Sequence, residues 1–267
     1  MKKLLYLLLL LLSFASFSQT AEEYSKRGIV KDNLKDYYGA IADYSKAIEI
    51  NPNYADAYFN RGNAKLFLND YYRAIADYTK AIEVNPSYGS AYLNRGSAKE
   101  KLEDYDGAIA DYTKSIEINP NYEAGYYNRG NLKMELKDYY GAIVDYTRAI
   151  DINPNSADTY YNRAFMKANL EDYDGAIADH TKFIEINPNN AYAYYYRGSF
   201  KAKLKDYYGA ILDYTKAIEI NPNYADAYYN RGLAKYRLRY KNGSCQDARK
   251  AQQLGYDATR FINSECK

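Results

Sequence analysis

Arginine and aspartate stand at fixed intervals through the chain. Arg27, Arg61, Arg95, Arg129, Arg163, Arg197 and Arg231 recur every 34 residues, and Asp43, Asp77, Asp111, Asp145, Asp179, Asp213 and Asp247 keep the same interval. A guanidinium and a carboxylate at such spacing either neutralise each other inside a fold or offer a row of cations to an anionic ligand. Other reactive chemistry is thin. His180 is the single histidine, so it has no companion imidazole for a metal and no evident nucleophile or orienting acid for catalysis. It is expected to sit hydrogen-bonded in a locally repacked core. Cys245 and Cys266 are the two cysteines. No glycine-rich phosphate loop occurs, and the acids Asp56, Glu100, Glu135 and Asp158 form no evident catalytic pair. Neither a cofactor nor a metal site is expected, and the chain does not read as an enzyme.

The elements that position these residues follow from the prolines. Pro52, Pro86, Pro120, Pro154, Pro188 and Pro222 each follow an asparagine, 34 residues apart without insertion or deletion. A fixed period of this size means one supersecondary unit stacked on itself. With proline as position 32, seven units begin at Ala21, Ala55, Gly89, Glu123, Ala157, Ala191 and Ala225. In the second half of a unit, apolar residues such as Tyr71, Ala74, Ile75, Tyr78, Ala81 and Ile82 follow the spacing of one helical face. Tyr58, Gly62 and Leu68 mark the packed side of a first helix. Thr20 with Glu23 forms a capping-box pattern, Asp70 can cap the second helix, and Asn-Pro ends it, because the residue before proline is driven out of the helical region. Each unit is thus helix, turn, helix, loop.

Tyr58, Arg61-Gly62, Lys65, Ala74, Tyr78 and Pro86, repeated in register over residues 21–255, resemble the tetratricopeptide repeat, whose period is 34. The resemblance implies an all-α, right-handed α-solenoid superhelix of seven helix-turn-helix units, used as a binding scaffold. Arg and Lys depart from the family pattern, which has Leu and Tyr at those places. An unpaired guanidinium is costly at a buried site. The pairs Arg61–Asp77, Arg95–Asp111 and Arg129–Asp145, and their equivalents, are therefore expected to brace the two helices, at a cost of about 3 kcal/mol for losing one partner. The lysines at position 11, such as Lys65 and Lys99, are expected to lie as solvated stems over the helix pair.

In this family the first helices line the concave wall. That places Asn60, Asn94, Asn128, Asn162 and Asn230 in a ladder, broken by Lys26 and Tyr196, beside Phe59, Leu93, Tyr127, Tyr161, Tyr195 and Tyr229. By resemblance, such a ladder holds an extended peptide. A carboxamide both donates and accepts, so it can grip a backbone without reading side chains. Tyrosine gives broad contact at low entropic cost. The basic clamp that some members use for a C-terminal carboxylate is not expected, because position 5 carries no lysine. The alternative occupant is an envelope polysaccharide stacked on the tyrosines. The expected role is a non-catalytic scaffold for a protein or peptide, with oligomeric state left open.

Residues 1–18 read as a secretory leader, with Lys2 and Lys3, the apolar run Leu4–Leu12 and a small-residue end at Ser16 and Ser18. The run is too short to span a bilayer comfortably. The remaining chain is expected to be exported, to the periplasm, cell surface or medium, with no stable membrane insertion. The whole chain carries 36 Lys and Arg against 34 Asp and Glu. Without Lys2 and Lys3 it is neutral, so no field of one sign is available to hold nucleic acid. After Gly255, residues 256–267 read as a short capping helix carrying Ala258, Phe261, Ile262 and Cys266 on one face. Antiparallel pairing about the turn at Gly255 and Tyr256 sets Cys245 opposite Cys266. The expected disulfide pins this cap, in a compartment that permits one.

Overall fold

The computed structural model describes residues 19–266. The leader assigned to residues 1–18 lies outside them. The described residues are helical with connecting turns, and the helices fall into two compact groups that divide after Pro120. The first group holds α1 (Ala21–Asn33), α2 (Tyr37–Ile50), α3 (Ala55–Phe67), α4 (Tyr71–Val84), α5 (Gly89–Glu100) and α6 (Tyr105–Ile118). The second holds α7 (Glu123–Glu135), α8 (Tyr139–Ile152), α9 (Ala157–Asn169), α10 (Tyr173–Ile186), α11 (Ala191–Lys203), α12 (Tyr207–Ile220), α13 (Ala225–Arg237), α14 (Lys241–Gln253) and α15 (Thr259–Glu265). Seven helices begin at the residues where the period starts a unit.

Local chemistry sets the helix ends. Thr20 and Glu23 form a reciprocal capping box on α1. Asp36, Asp70, Asp104, Asp138, Asp172 and Asp206 each accept the N–H three residues on, satisfying an open donor of the second helix. The turn after each first helix holds a residue in the left-handed region, with φ of 59 to 66° at Lys35, Asn69, Glu103, Lys137, Glu171, Lys205 and Arg239. The next N–H then reaches back to a carbonyl five residues earlier, as Asp70 N does to Lys65 O at 2.9 Å.

Each pair of helices except α9 and α10, where Ala164 stands, packs through a bare glycine. A methyl group on Gly62 would lie 2.7 Å from Tyr78 Cε1, so the absence of a side chain lets the Tyr78 ring lie against α3. Tyr44, Tyr78, Tyr112, Tyr146 and Tyr214 are fully buried in this way. Desolvation pushes their hydroxyls up, that of Tyr214 to about 12. The next unit supplies the other side of the core: Ala98 of α5 closes over Ala74 and Tyr78, and Ala234 of α13 over Ala210 and Tyr214.

The Arg–Asp pairs lie inside each unit. Arg61 is bidentate on Asp77, Nε to Oδ2 at 2.9 Å and Nη2 to Oδ1 at 2.7 Å, and Arg95 on Asp111 and Arg129 on Asp145 repeat the geometry. The remaining guanidinium nitrogen ties neighbouring units together: Arg61 Nη1 donates to Ser45 Oγ at 3.0 Å and Arg95 Nη1 to Thr79 Oγ1 at 3.1 Å. Each guanidinium also sits over the tyrosine three residues before it, as Arg61 does over Tyr58 at 5.6 Å.

The lysines at position 11 differ from the expected solvated stems. Lys65 Nζ lies 2.6 Å from Asp77 and Lys99 Nζ 2.8 Å from Asp111, and the other five units match. A carboxylate has room for more than the two N–H groups of one arginine fork, and its desolvated second oxygen takes an ammonium. The buried unit is therefore an Arg–Asp–Lys triad.

Candidate binding surface

The first helices carry the residues that the sequence places on a wall. In the first group, Phe59 is half-buried, tilted against Tyr78 at 5.9 Å and Tyr88 at 4.8 Å between ring centres. Asn60 and Asn94 are also half-buried. Asn94 Nδ2 donates to Asn63 Oδ1 at 2.8 Å, and that oxygen already accepts the Tyr78 hydroxyl at 2.9 Å. A core tyrosine thus fixes a position-9 amide, which fixes the carboxamide of the next unit.

The second group repeats the arrangement. Tyr146 donates to Asn131 Oδ1 at 2.8 Å, and Asn162 Nδ2 donates to the same atom at 3.2 Å and to the Tyr127 hydroxyl at 3.5 Å. Asn230 Nδ2 donates to the Tyr195 hydroxyl at 2.8 Å. Asn128 is half-buried on α7. The ladder is therefore not a set of free amides. Asn94, Asn162 and Asn230 are held by the preceding unit through their amide nitrogens, by one hydrogen bond at Asn94 and Asn230 and two at Asn162, with carbonyl valence left over.

The aromatic positions diverge. Tyr127 leans on Tyr146 at 6.2 Å, and Tyr195 packs on Tyr196, Tyr214 and Tyr224. Tyr161 belongs to an aromatic cluster with Phe165, His180, Phe183 and Tyr196. Tyr229 is stacked on Tyr256 at 4.3 Å and meets the edge of Phe261, so the C-terminal cap covers part of it. Position 9, on the wall side of the first helices, also reaches the core. It is Asn or Ser opposite Tyr78, Tyr112, Tyr146 and Tyr214, and Phe165 opposite His180.

His180 departs from the expectation of a hydrogen-bonded core histidine. It is fully buried, and neither ring nitrogen has a hydrogen-bond partner among the described residues. Its neighbours are rings: Tyr161, Phe165, Tyr196 and Phe200, at centroid distances of 5.6, 5.8, 6.1 and 5.5 Å. Desolvation depresses its pKa to about 4, Asp179 opposing that shift and Arg197 adding to it.

A cleft of about 420 Å³ opens on the wall side of α11 and α13. Ser199, Lys203, Tyr214, Asn230, Leu233 and Arg237 line it. Tyr214 donates to Ser199 Oγ at 3.2 Å, and Ser199 donates onward to the Tyr195 carbonyl at 2.9 Å. Among the described residues, no group of three His, Cys, Asp or Glu side chains is placed to hold a metal ion, and no helix is long and apolar enough to cross a membrane.

At the C-terminal end, Cys245 and Cys266 are bonded, with Cα atoms 5.5 Å apart. Cys245 occupies a core site of α14, and α15 lies against it, with Ala258 buried and Phe261 edge-on to Tyr236.

The tetratricopeptide repeat profile matches residues 55–88, 89–122 and 124–156, and related TPR profiles match 34–66, 198–238 and 145–178. No curated protein matches the chain. Among solved structures it is similar to YrrB, described as a TPR protein with an unusual peptide-binding site. That match is 28% identical and covers 69% of this chain and 95% of YrrB, with a TM-score of 0.62. MamA is 26% identical over 60% of this chain and 93% of its own, with a TM-score of 0.57. The C-terminal part of a TPR repeat-containing protein from Cytophaga hutchinsonii is 17% identical over 89% of this chain and 98% of its own, and its TM-score of 0.76 shows the shared fold. With helix pairs repeating every 34 residues and the profiles matching in both helix groups, the chain belongs to the tetratricopeptide repeat family.

Proposed function

We propose that the protein is a non-catalytic, exported scaffold that holds an extended peptide or protein segment along the wall of its first helices. The observation that carries this reading is the ordered carboxamide row. Asn94, Asn162 and Asn230 are each anchored by a side chain of the preceding unit and keep amide valences for a ligand. Anchoring before binding removes ordering cost from the encounter. Within each helix group, amides in consecutive units (Asn60 and Asn94, Asn128 and Asn162) suit a chain laid along the wall, and YrrB, to which the protein is similar, is described as having a peptide-binding site. Export is supported by the layout of residues 1–18 and by the Cys245–Cys266 bond.

Display of random ten-residue peptides on the purified protein, followed by fluorescence anisotropy on the selected peptides, tests the reading. Asn162→Ala with Asn230→Ala should weaken binding at least tenfold, since two hydrogen bonds of about 1 kcal/mol each are lost, while the far-ultraviolet circular dichroism stays unchanged. If Tyr127→Ala and Tyr161→Ala abolish binding of a soluble polysaccharide while the Asn changes leave all binding intact, the peptide reading gives way to the sugar one.

A further inference from the structure

The wall of the second helix group is electrically uneven. Position 13 of its first helices carries Glu135, Asn169, Lys203 and Arg237 in turn, so cations stand in succession only in the last two units. Both line the cleft beside α11 and α13, both are exposed, and neither forms an ion pair among the described residues. The nearby acids are engaged elsewhere. Asp213 and Asp247 are taken by the Arg–Lys triads of their own units, and Glu265 accepts the Tyr236 hydroxyl at 2.6 Å. The local imbalance is wider than these two side chains. Residues 225–267 hold nine Lys and Arg against four Asp and Glu, in a chain whose net charge is +2. A second cleft, of about 490 Å³, shares Arg237 and adds Arg239 and Lys241, with the Glu265 carboxylate also on its lining.

The lining is built for more than a stray ion. Asn230 gives one N–H to Tyr195, and its second N–H and its carbonyl have no partner among the described residues. Leu233 and Ala234 supply an apolar side, and the Tyr214–Ser199–Tyr195 chain of hydrogen bonds fixes the polar floor. We propose that this cleft takes the side-chain carboxylate of a glutamate or aspartate in the bound peptide, with Lys203 and Arg237 pairing the charge and Asn230 meeting the adjoining backbone. The inference rests on the wall being a peptide-holding surface. A carboxylate seated in the cleft gains attraction from both cations and charge-assisted hydrogen bonds, one of them to a guanidinium fork. A neutral segment gains neither, so the cleft selects by charge where the carboxamide row does not.

The test uses ten-residue peptides selected on the purified protein, with affinities read by anisotropy for the wild type, Lys203→Gln, Arg237→Gln and the double variant. Both side chains are exposed, so the variants should melt at the wild-type temperature. The selected peptides should share an acidic residue. Replacing it by its amide should weaken wild-type binding about tenfold, as should each protein substitution. In the double variant the peptide change should cost nothing further. Acidic peptides should also bind more weakly as salt is raised. Peptides that bind equally well with Gln for Glu, or are indifferent to the variants, overturn the carboxylate site and leave the peptide scaffold standing. Selection of no peptide at all overturns the scaffold and the site together. Binding of polygalacturonate that the double variant loses, without any acidic peptide, assigns the cleft to a glycan and also overturns it.

Discussion

At the scale of single residues, the fifth unit changes three positions together. In the second, third, fourth and sixth units a glycine, a core tyrosine and an Asn or Ser beside its hydroxyl recur, as in Gly62, Tyr78 and Asn63. Here Ala164, His180 and Phe165 stand in their places. The alanine methyl would meet a tyrosine ring at under 3 Å, as a methyl on Gly62 meets Tyr78. The shorter imidazole avoids that clash, and a phenyl ring replaces the hydrogen-bonding group that has lost its tyrosine. The substitutions are plain in the sequence. The unpartnered nitrogens are not, because they depend on which rings the next unit brings over His180. A consequence follows for pH. The folded imidazole titrates near 4 and the unfolded one near 6.5. Above the unfolded value both states are neutral and its contribution to stability is complete. As pH falls from about 6.5 towards 4, the unfolded state takes up the proton first and stability drops by about 2 to 3 kcal/mol. Urea unfolding should show that loss in the wild type and should lack it in a variant with Ala164→Gly, Phe165→Asn and His180→Tyr, which restores the ordinary trio. Equal acid sensitivity in both would remove His180 as the cause.

At the scale of elements, starts were more legible than ends. The aspartate caps and the capping box announce themselves by residue type. The turns after the first helices instead hold Lys, Asn, Glu or Arg in the left-handed region, where a sequence reader looks for glycine. The Arg–Asp brace could be read because both members recur in every unit. The lysine that completes it could not, since a lysine on a helix surface usually keeps its ammonium in water. The cap was legible from the change of text after Tyr240 and from two cysteines facing across a glycine turn. Its short helix has no side-chain cap, and its seven residues are few for independent stability. The cross-link therefore carries much of its docking. Reduction, or Cys245→Ser with Cys266→Ser, should lower stability by about 3 kcal/mol, the chain-entropy value for a loop of 21 residues. Amides of residues 258–266 should then exchange much faster while those of α13 change little. Protection of α15 that survives reduction would show that packing by Phe261 and Ile262 suffices without the bond.

At the scale of the molecule, repetition makes each unit a control for the others, and the two ends are unequal. Position 10 is buried in every unit that has a predecessor in its own helix group: Ala64, Ala98, Met166, Phe200 and Ala234. In the first unit the same position, Val30, is 57% exposed and Leu34 is 75% exposed, whereas α15 covers the last unit. Arg27 shows the difference too. Its side chain is 45% exposed against 19% for Arg61: beyond their paired aspartates, Arg61 bonds Ser45 of the preceding unit, whereas among the described residues Arg27 bonds Gln19. In a stacked array, stability is the sum of each unit and its interfaces, so a unit with one interface opens more readily than a unit with two. Amides of α1 should exchange before those of α3 and α5. Mutation should follow the same gradient. Val30→Asp should cost under about 0.5 kcal/mol, as for a surface change, whereas Ala98→Asp buries an unpaired carboxylate against Tyr78 and should cost about 3 kcal/mol or more. The pair of denaturation curves decides the matter. If Val30→Asp is as damaging as Ala98→Asp, the face of α1 is covered in solution, and the exposed end belongs to an interface that the isolated chain does not display.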